Sequence, residues 1–228
     1  MKDKEILNLN HYELYVFDCD GVLLDSNQLK SKAFRLTLEN YPKNFVEHFI
    51  AYHELNGGIS RHIKFEYFLS NMLKKQNFQE EHSALLRKFS LVSMEILSKE
   101  AKLIPGIKDF LKKLNTEKKY VIVCSGTDEI DLKKILALKN IDQYFSHIYG
   151  SPKTKKEILL KALTEYKNQK IKGIFFGDAS SDYEAAKKFE LDFMFVSYNS
   201  DWKNISEMPY YNNLKRIHSF QNLKPLVL

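Results

Sequence analysis

Two cysteines occur in 228 residues, Cys19 and Cys124, and their spacing is not that of metal ligands. That argues against a disulfide framework; both thiols lie in apolar runs and are expected to be reduced and buried. No apolar run is long enough to cross a bilayer. The opening segment, MKDKEILNLNHYEL, has neither an apolar h-region nor a small-residue cleavage site. No signal peptide is therefore expected, and the expected compartment is the cytoplasm, with no membrane partner. No internal repeat and no low-complexity segment is present. The net charge is +6, yet no basic module or aromatic-interleaved patch accompanies it. Lysine pairs such as Lys112–Lys113 and Lys133–Lys134 fall on expected helix faces, so nucleic acid is not an expected partner. Hydrophobic residues make up 44%, which argues against disorder. The length suits one core, or one core with a smaller inserted domain.

Four short runs rich in β-branched and aromatic residues stand out: 14–18 (LYVFD), 120–124 (YVIVC), 171–176 (IKGIFF) and 193–197 (FMFVS). None alternates strictly, the pattern of strands buried on both faces of a parallel sheet. Helical spacing covers 107–117, 128–140, 154–167 and 181–190, between and after those runs. Strand–helix alternation of this kind predicts a doubly wound α/β sheet. Residues 26–102 differ: four helical patterns follow one another, starting at Ser26 as a plausible N-cap. Tyr41–Pro42 and Asn56–Gly57–Gly58 punctuate them, and Pro105–Gly106 marks the return to alternation. The expected organisation is an α/β core from 1–25 and 103–228, with an all-helical insertion at 26–102.

In open parallel sheets ligands bind beyond the carboxyl ends of the strands. The first run ends in Asp18 and Asp20, the second in Ser125–Gly126–Thr127, and the third in GDASSD, with Asp178 and Asp182. Between the second and third lies the lysine-rich GSPKTKKEIL. Carboxylates gathered in this way repel one another unless a cation sits among them. Hard oxygen ligands with room for phosphate and water suit Mg²⁺. Two bland alternatives stand beside these assignments: Ser125 as a strand-end turn residue, and Asp182 as a helix N-terminal charge favoured by the dipole.

Together DCDG, VCSGT, the lysine before a helix and GDASSD, in that order, resemble the haloacid dehalogenase superfamily in its phosphatase branch. The resemblance covers the whole chain, and the helical insertion is similar to that family's C1 cap. It implies that Asp18 is the nucleophile, forming an aspartyl-phosphate, and also a metal ligand. Asp20 would be the general acid and base, its carbonyl a metal ligand. Asp178 would be a further metal ligand. Asp182 would bind outer-shell water or orient the lysine. Ser125, with the backbone of Gly126 and Thr127, would hold the phosphoryl oxygens. The lysine would be Lys155, whose run KKEIL is similar to the family's, with Lys153 second. Thr154 and Glu157 fit a capping box that starts the helix at Lys155, and a lysine against a helix N-terminus implies an anion nearby.

The cap segment NGGISRHIKF offers Arg61 and Lys64 on one helical face to hold a substrate's remote anionic group; the alternative is an exposed helix with routine charges. His53 and His62 read as surface or packing residues. GISR also resembles β-phosphoglucomutases, but Lys30 stands near the place of their histidine. The expected activity is Mg²⁺-dependent hydrolysis of a small phosphorylated metabolite, a sugar phosphate or phosphoglycolate-like ester, by a monomer or homodimer. The alternatives are a phosphomutase and an inactive scaffold that binds without turnover.

Overall fold

The computed structural model describes residues 9–166 and 171–223. The N-terminal segment read above for targeting lies largely in residues 1–8, outside the described residues, as does Lys167 at the end of one expected helix. The chain runs through β1 (Leu14–Phe17), a short β2 (Leu24–Asp25), and the helices α1 (Asn27–Thr37), α2 (Lys43–Leu55), α3 (Arg61–Tyr67) and α4 (Gln79–Glu100). A short β3 (Lys102–Leu103) leads into α5 (Ile107–Thr116), β4 (Tyr120–Asp128), α6 (Glu129–Leu138) and β5 (His147–Ser151). Then follow α7 (Lys155–Glu165), β6 (Gly173–Gly177), α8 (Ser180–Lys188), β7 (Asp192–Val196) and β8 (Lys215–Ile217).

Six strands form one parallel sheet in the order β5-β4-β1-β6-β7-β8. β1 is central, and the reason lies in its sequence. Tyr15 and Phe17 enter one apolar layer, with Leu111, Val123 and Phe176; Leu14 and Val16 enter the other, with Ile122, Phe175 and Ile158. Every residue of the strand is buried, so a run without polar alternation is required. The strand order reverses on either side of β1. Its carboxyl end therefore opens into the crevice where doubly wound sheets bind ligands.

The helices between β1 and β4 build a separate apolar cluster. Phe34 of α1, Phe49 of α2, Phe65 of α3 and Phe89 of α4 meet there, with Phe68 from a π-helical turn at Phe68–Met72 that continues α3. The chain passes from the sheet to these helices and back at the antiparallel ribbon of β2 and β3, in which Leu24 faces Leu103 and Asp25 faces Lys102.

Four short strands have no counterpart in the sequence reading: β5, β8 and the β2–β3 pair. β5 and β8 are the sheet's two edges, and β8 is mostly exposed. An edge strand needs no apolar run on both faces, which is the signal the other strands carried. The capping box of α7 forms as expected, the Thr154 hydroxyl accepting from the Glu157 amide and the Glu157 carboxylate from the Thr154 amide. Ser26 precedes α1 but makes no side-chain cap bond. Its hydroxyl is used elsewhere.

Candidate active site

The site begins where β1 ends. Asp18 is buried at 2% exposure, and its Oδ2 lies 3.1 Å from Lys155 Nζ. Its Oδ1 is buried without any hydrogen-bond partner. Lys155 opens α7, and its ammonium also contacts the Asp182 carboxylate. Lys153 is exposed, so of the two lysines Lys155 alone meets the carboxylates. Asp178 follows β6, and carboxylate oxygens of Asp18, Asp178 and Asp182 lie within 4.8 Å of one another. Asp178 Oδ2 accepts from Asn27 Nδ2 at 2.7 Å. Gly21, at φ +75°, lets the loop after Asp20 fold against Asp178; a Cβ there would lie 2.1 Å from Asp178 Oδ2.

Burial, reinforced by neighbouring carboxylates, raises the proton affinity of both Asp18 and Asp178, although Lys155 pulls the other way. Burial opposes the charged form of Lys155 too, but Asp18 and Asp182 outweigh it and hold the ammonium charged. Three carboxylates this close and this dry keep their charges only with a cation or proton among them. The orphaned Asp18 Oδ1 and the Asp178 carboxylate are hard oxygen donors of the kind that hold Mg²⁺. Asp182 is differently placed from Asp18 and Asp178. One of its oxygens meets Lys155, and the other accepts from the Asp178 and Ala179 amides at 3.3 and 3.1 Å. Both its oxygens are already engaged, and its geometry is that of a support for the lysine and the β6–α8 turn.

Asp20 sits two residues on, with both carboxylate oxygens held. Ser26 Oγ donates to Oδ1 at 2.6 Å; Thr127 Oγ1 donates to Oδ2 at 2.8 Å, and Lys30 Nζ lies 3.1 Å from it. Lys30 also donates to Thr127 Oγ1 at 2.8 Å. Against the effect of burial, Lys30, Ser26 and Thr127 hold the Asp20 carboxyl below the usual range. Ser125 is buried at the same strand end, its hydroxyl accepting from the Thr127 amide at 3.2 Å.

The helical insertion closes over this end of the sheet. The Gly57–Gly58 turn reaches the core: Ser181 Oγ donates to the Gly57 carbonyl at 3.0 Å, and Gly58, at φ +74°, lies so close that a Cβ would be 2.8 Å from Lys155 Nζ. Gly126 lies against the Gly58 carbonyl. A cleft of about 80 Å³ remains between the two bodies, lined by Asp18, Asp20, Lys30, Lys64, Ser125 and Asp178 among others. Arg61 and Lys64 are both buried rather than exposed, and their partners differ. The Arg61 guanidinium meets Asp131 at 2.7 Å and Asp128 at 3.4 Å, both on the core. Its charge is thus taken up by protein carboxylates, unlike the substrate-holding role expected of it. Lys64 lies against His53, which packs on the Phe34 ring.

Sequence reading did not single out Ser26 or Asn27 for the site, and gave Lys30 no role there. A signal existed for Lys30. Lys30, Ala33, Phe34 and Thr37 share the buried face of α1, and a lysine in an apolar stripe calls for a partner. Nothing local distinguishes Ser26 from an N-cap or Asn27 from a surface amide; their partners lie across the chain.

The family model described as haloacid dehalogenase-like hydrolase matches residues 15–196. A phosphoglycolate phosphatase from Aquifex aeolicus is 28% identical over 184 residues, covering 76% of this chain and 79% of the relative. Among solved structures, a predicted phosphoglycolate phosphatase from Haemophilus somnus superposes with a TM-score of 0.73 at 18% identity, covering 93% of this chain and 96% of the other. A β-phosphoglucomutase from Clostridium difficile gives 0.69 at 21% identity, covering 93% of each. At these identities the two structures speak for the fold alone.

Proposed function

The chain belongs to the haloacid dehalogenase-like hydrolase family, and from that premise we propose that it is a Mg²⁺-dependent phosphatase of small phosphomonoesters. A phosphoglycolate-like ester or a sugar phosphate is the proposed substrate. The observation that carries this reading is the buried Asp18 carboxylate, with one oxygen on Lys155 and the other without a partner, in reach of Asp178. Asp18 and Asp178, with the Asp20 carbonyl, would hold Mg²⁺, which when bound offsets the negative charge of carboxylates and phosphoryl group.

The chain's own groups supply the rest. Asp18 attacks phosphorus; the new Asp18–phosphorus bond forms as the bond to the ester oxygen breaks. Asp20, which Lys30, Ser26 and Thr127 hold in its charged form, would first take up a proton from solvent as substrate binds and then give it to the departing oxygen. Water then attacks phosphorus, Asp20 takes the water's proton, and the bond from Asp18 to phosphorus breaks to release phosphate. Ser125 and the Gly126 and Thr127 backbone would donate to the phosphoryl oxygens, and Lys155 would offset charge beside Asp18. The placement of Lys30, Ser26 and Thr127 around Asp20 orients it for both proton transfers. On the resemblance of GISR to β-phosphoglucomutases, Lys30 stands near the place of their histidine, which favours hydrolysis over phosphoryl return to a second hydroxyl.

The test is p-nitrophenyl phosphate turnover and a metabolite phosphate screen, each with and without Mg²⁺, with Asp18→Asn as the blank. Turnover that needs Mg²⁺ and falls by at least about 1,000-fold in Asp18→Asn is expected, since the covalent step is lost. Equal turnover by Asp18→Asn would refute the nucleophile assignment.

A further inference from the structure

Four basic side chains are buried among the described residues: Lys30, Arg61, Lys64 and Lys155. Three of them pair with carboxylates: Lys30 with Asp20, Arg61 with Asp128 and Asp131, and Lys155 with Asp18 and Asp182. Lys64 is 2% exposed and forms no ion pair with any described residue. Its ammonium lies 2.7 Å from His53 Nδ1 and 3.4 Å from the His53 carbonyl, and 5.9 Å from the centre of the Phe34 ring. None of these carries negative charge. Burial and the Lys64 charge push His53 down to about 2, so its ring stays neutral; accepting through Nδ1 leaves the proton on Nε2, which is buried without a partner. Burial and the nearby Lys30 and Lys155 bring Lys64 down to about 7, although Asp20 and Asp201, neither in contact with it, pull the other way.

An unpaired buried ammonium is costly, and a second cation beside it adds to the cost. The cost is offset if an anion enters the cleft that Lys64 lines. The phosphoryl group itself has Lys155 and the strand-end donors at the floor. Lys64, on α3 of the helical insertion, lines the same cleft. We propose that Lys64 receives a carboxylate of the substrate, so that the preferred esters are small phosphorylated carboxylic acids; this rests on the phosphatase reading of the same site.

Two features favour a carboxylate over a second phosphate. A phosphate dianion gathers several strong donors, whereas Lys30 already serves Asp20 and Thr127, and Arg61 is paired on the core. The cleft is also small. If one water needs roughly 10–15 Å³, about 80 Å³ suits a ligand with only a few atoms beyond its phosphoryl group.

The experiment compares kcat/KM for 2-phosphoglycolate, 2-hydroxyethyl phosphate and ethylene glycol bisphosphate, in the wild type and in Lys64→Met and Lys64→Gln. The wild type is expected to prefer the carboxylate ester over the hydroxyl ester by about 10- to 100-fold, the range for a charged hydrogen bond. Both variants should collapse that ratio toward one. Equal wild-type use of the carboxylate and hydroxyl esters, preference for the bisphosphate, or a ratio unchanged in the variants would each overturn the inference. The wild-type comparison decides even if a variant fails to fold. Failure of the phosphatase reading is separable by titrating the same compounds into the Asp18→Asn protein. If no ester were turned over, a carboxylate preference in binding that disappears in the added Lys64→Met would support the role of Lys64, and equal affinities would refute it.

Discussion

Removing the Arg61 guanidinium tests whether charge holds the helical insertion against the core. In Arg61→Met the aliphatic stem remains, but Asp131 loses its partner at 2.7 Å and Asp128 its partner at 3.4 Å. Asp131 is only 8% exposed and keeps one donor, the Ser90 hydroxyl. Breaking a buried pair from one side costs about 3–5 kcal/mol. The retained Ser90 contact and the partial exposure of Asp128 put this case near the lower end. Asp131→Asn should cost less, because Arg61 still faces Asp128. In the double variant neither the guanidinium nor the buried Asp131 charge remains. The two losses should therefore not add, leaving a coupling energy of about 1.5–3 kcal/mol. Urea denaturation of the four proteins, followed by circular dichroism, measures it. A coupling below about 0.5 kcal/mol, the scatter of independent sites, would mean that the Arg61–Asp131 contact contributes nothing and that the apolar contacts alone close the cleft.

Three other perturbations follow from the geometry. Lys155→Ala should lower kcat/KM for p-nitrophenyl phosphate by at least about 100-fold and Lys153→Ala by less than about 3-fold; comparable losses would contradict the separation of the buried from the exposed lysine. Asp18 has its proton affinity pushed from 3.8 up to about 7, chiefly by burial. Without divalent metal the folded protein thus binds a proton that the unfolded chain releases between about pH 4 and 7, and stability falls as pH rises through that window, by at most about 1.4 kcal/mol per pH unit for one proton. Melting curves from pH 5 to 8 in EDTA should show the fall, and Mg²⁺ at pH 8 should reverse it; a flat profile insensitive to Mg²⁺ would refute the cation-seeking cluster. Gly58→Ala places a Cβ 2.3 Å from Ser181 Oγ at φ +74°, which should cost about 1–2 kcal/mol of strain and raise KM; an unchanged KM and melting temperature would mean that the turn does not rest on the core.

The central strands and the acidic side chains at their ends were legible because each is signalled locally. An apolar run such as 14–17 can be stable only between two layers, and a carboxylate at its end needs compensation. Lys155 is favoured over Lys153 by the likeness of KKEIL to the family's run and by the capping box, which fixes where the helix starts. What could not be read is contact across the chain. Arg61 and Lys64 have the same charge and lie on the same face, and nothing in their local sequence separates them; Asp131, 70 residues away from Arg61, does so. Ser26 was read as a cap because its neighbours in sequence form a helix, while its hydroxyl answers to Asp20. The edge strands were missed because pairing on one side leaves no apolar signature.

The ribbon of Leu24–Asp25 with Lys102–Leu103 has a mechanical corollary. Two crossings laced side by side tie the helical insertion to the sheet at this junction. Asp20 lies before the first crossing and Ser26 and Lys30 after it, so two of the contacts that hold its carboxyl in the charged form reach across the junction. Any displacement of the insertion that breaks them would raise the proton affinity of Asp20.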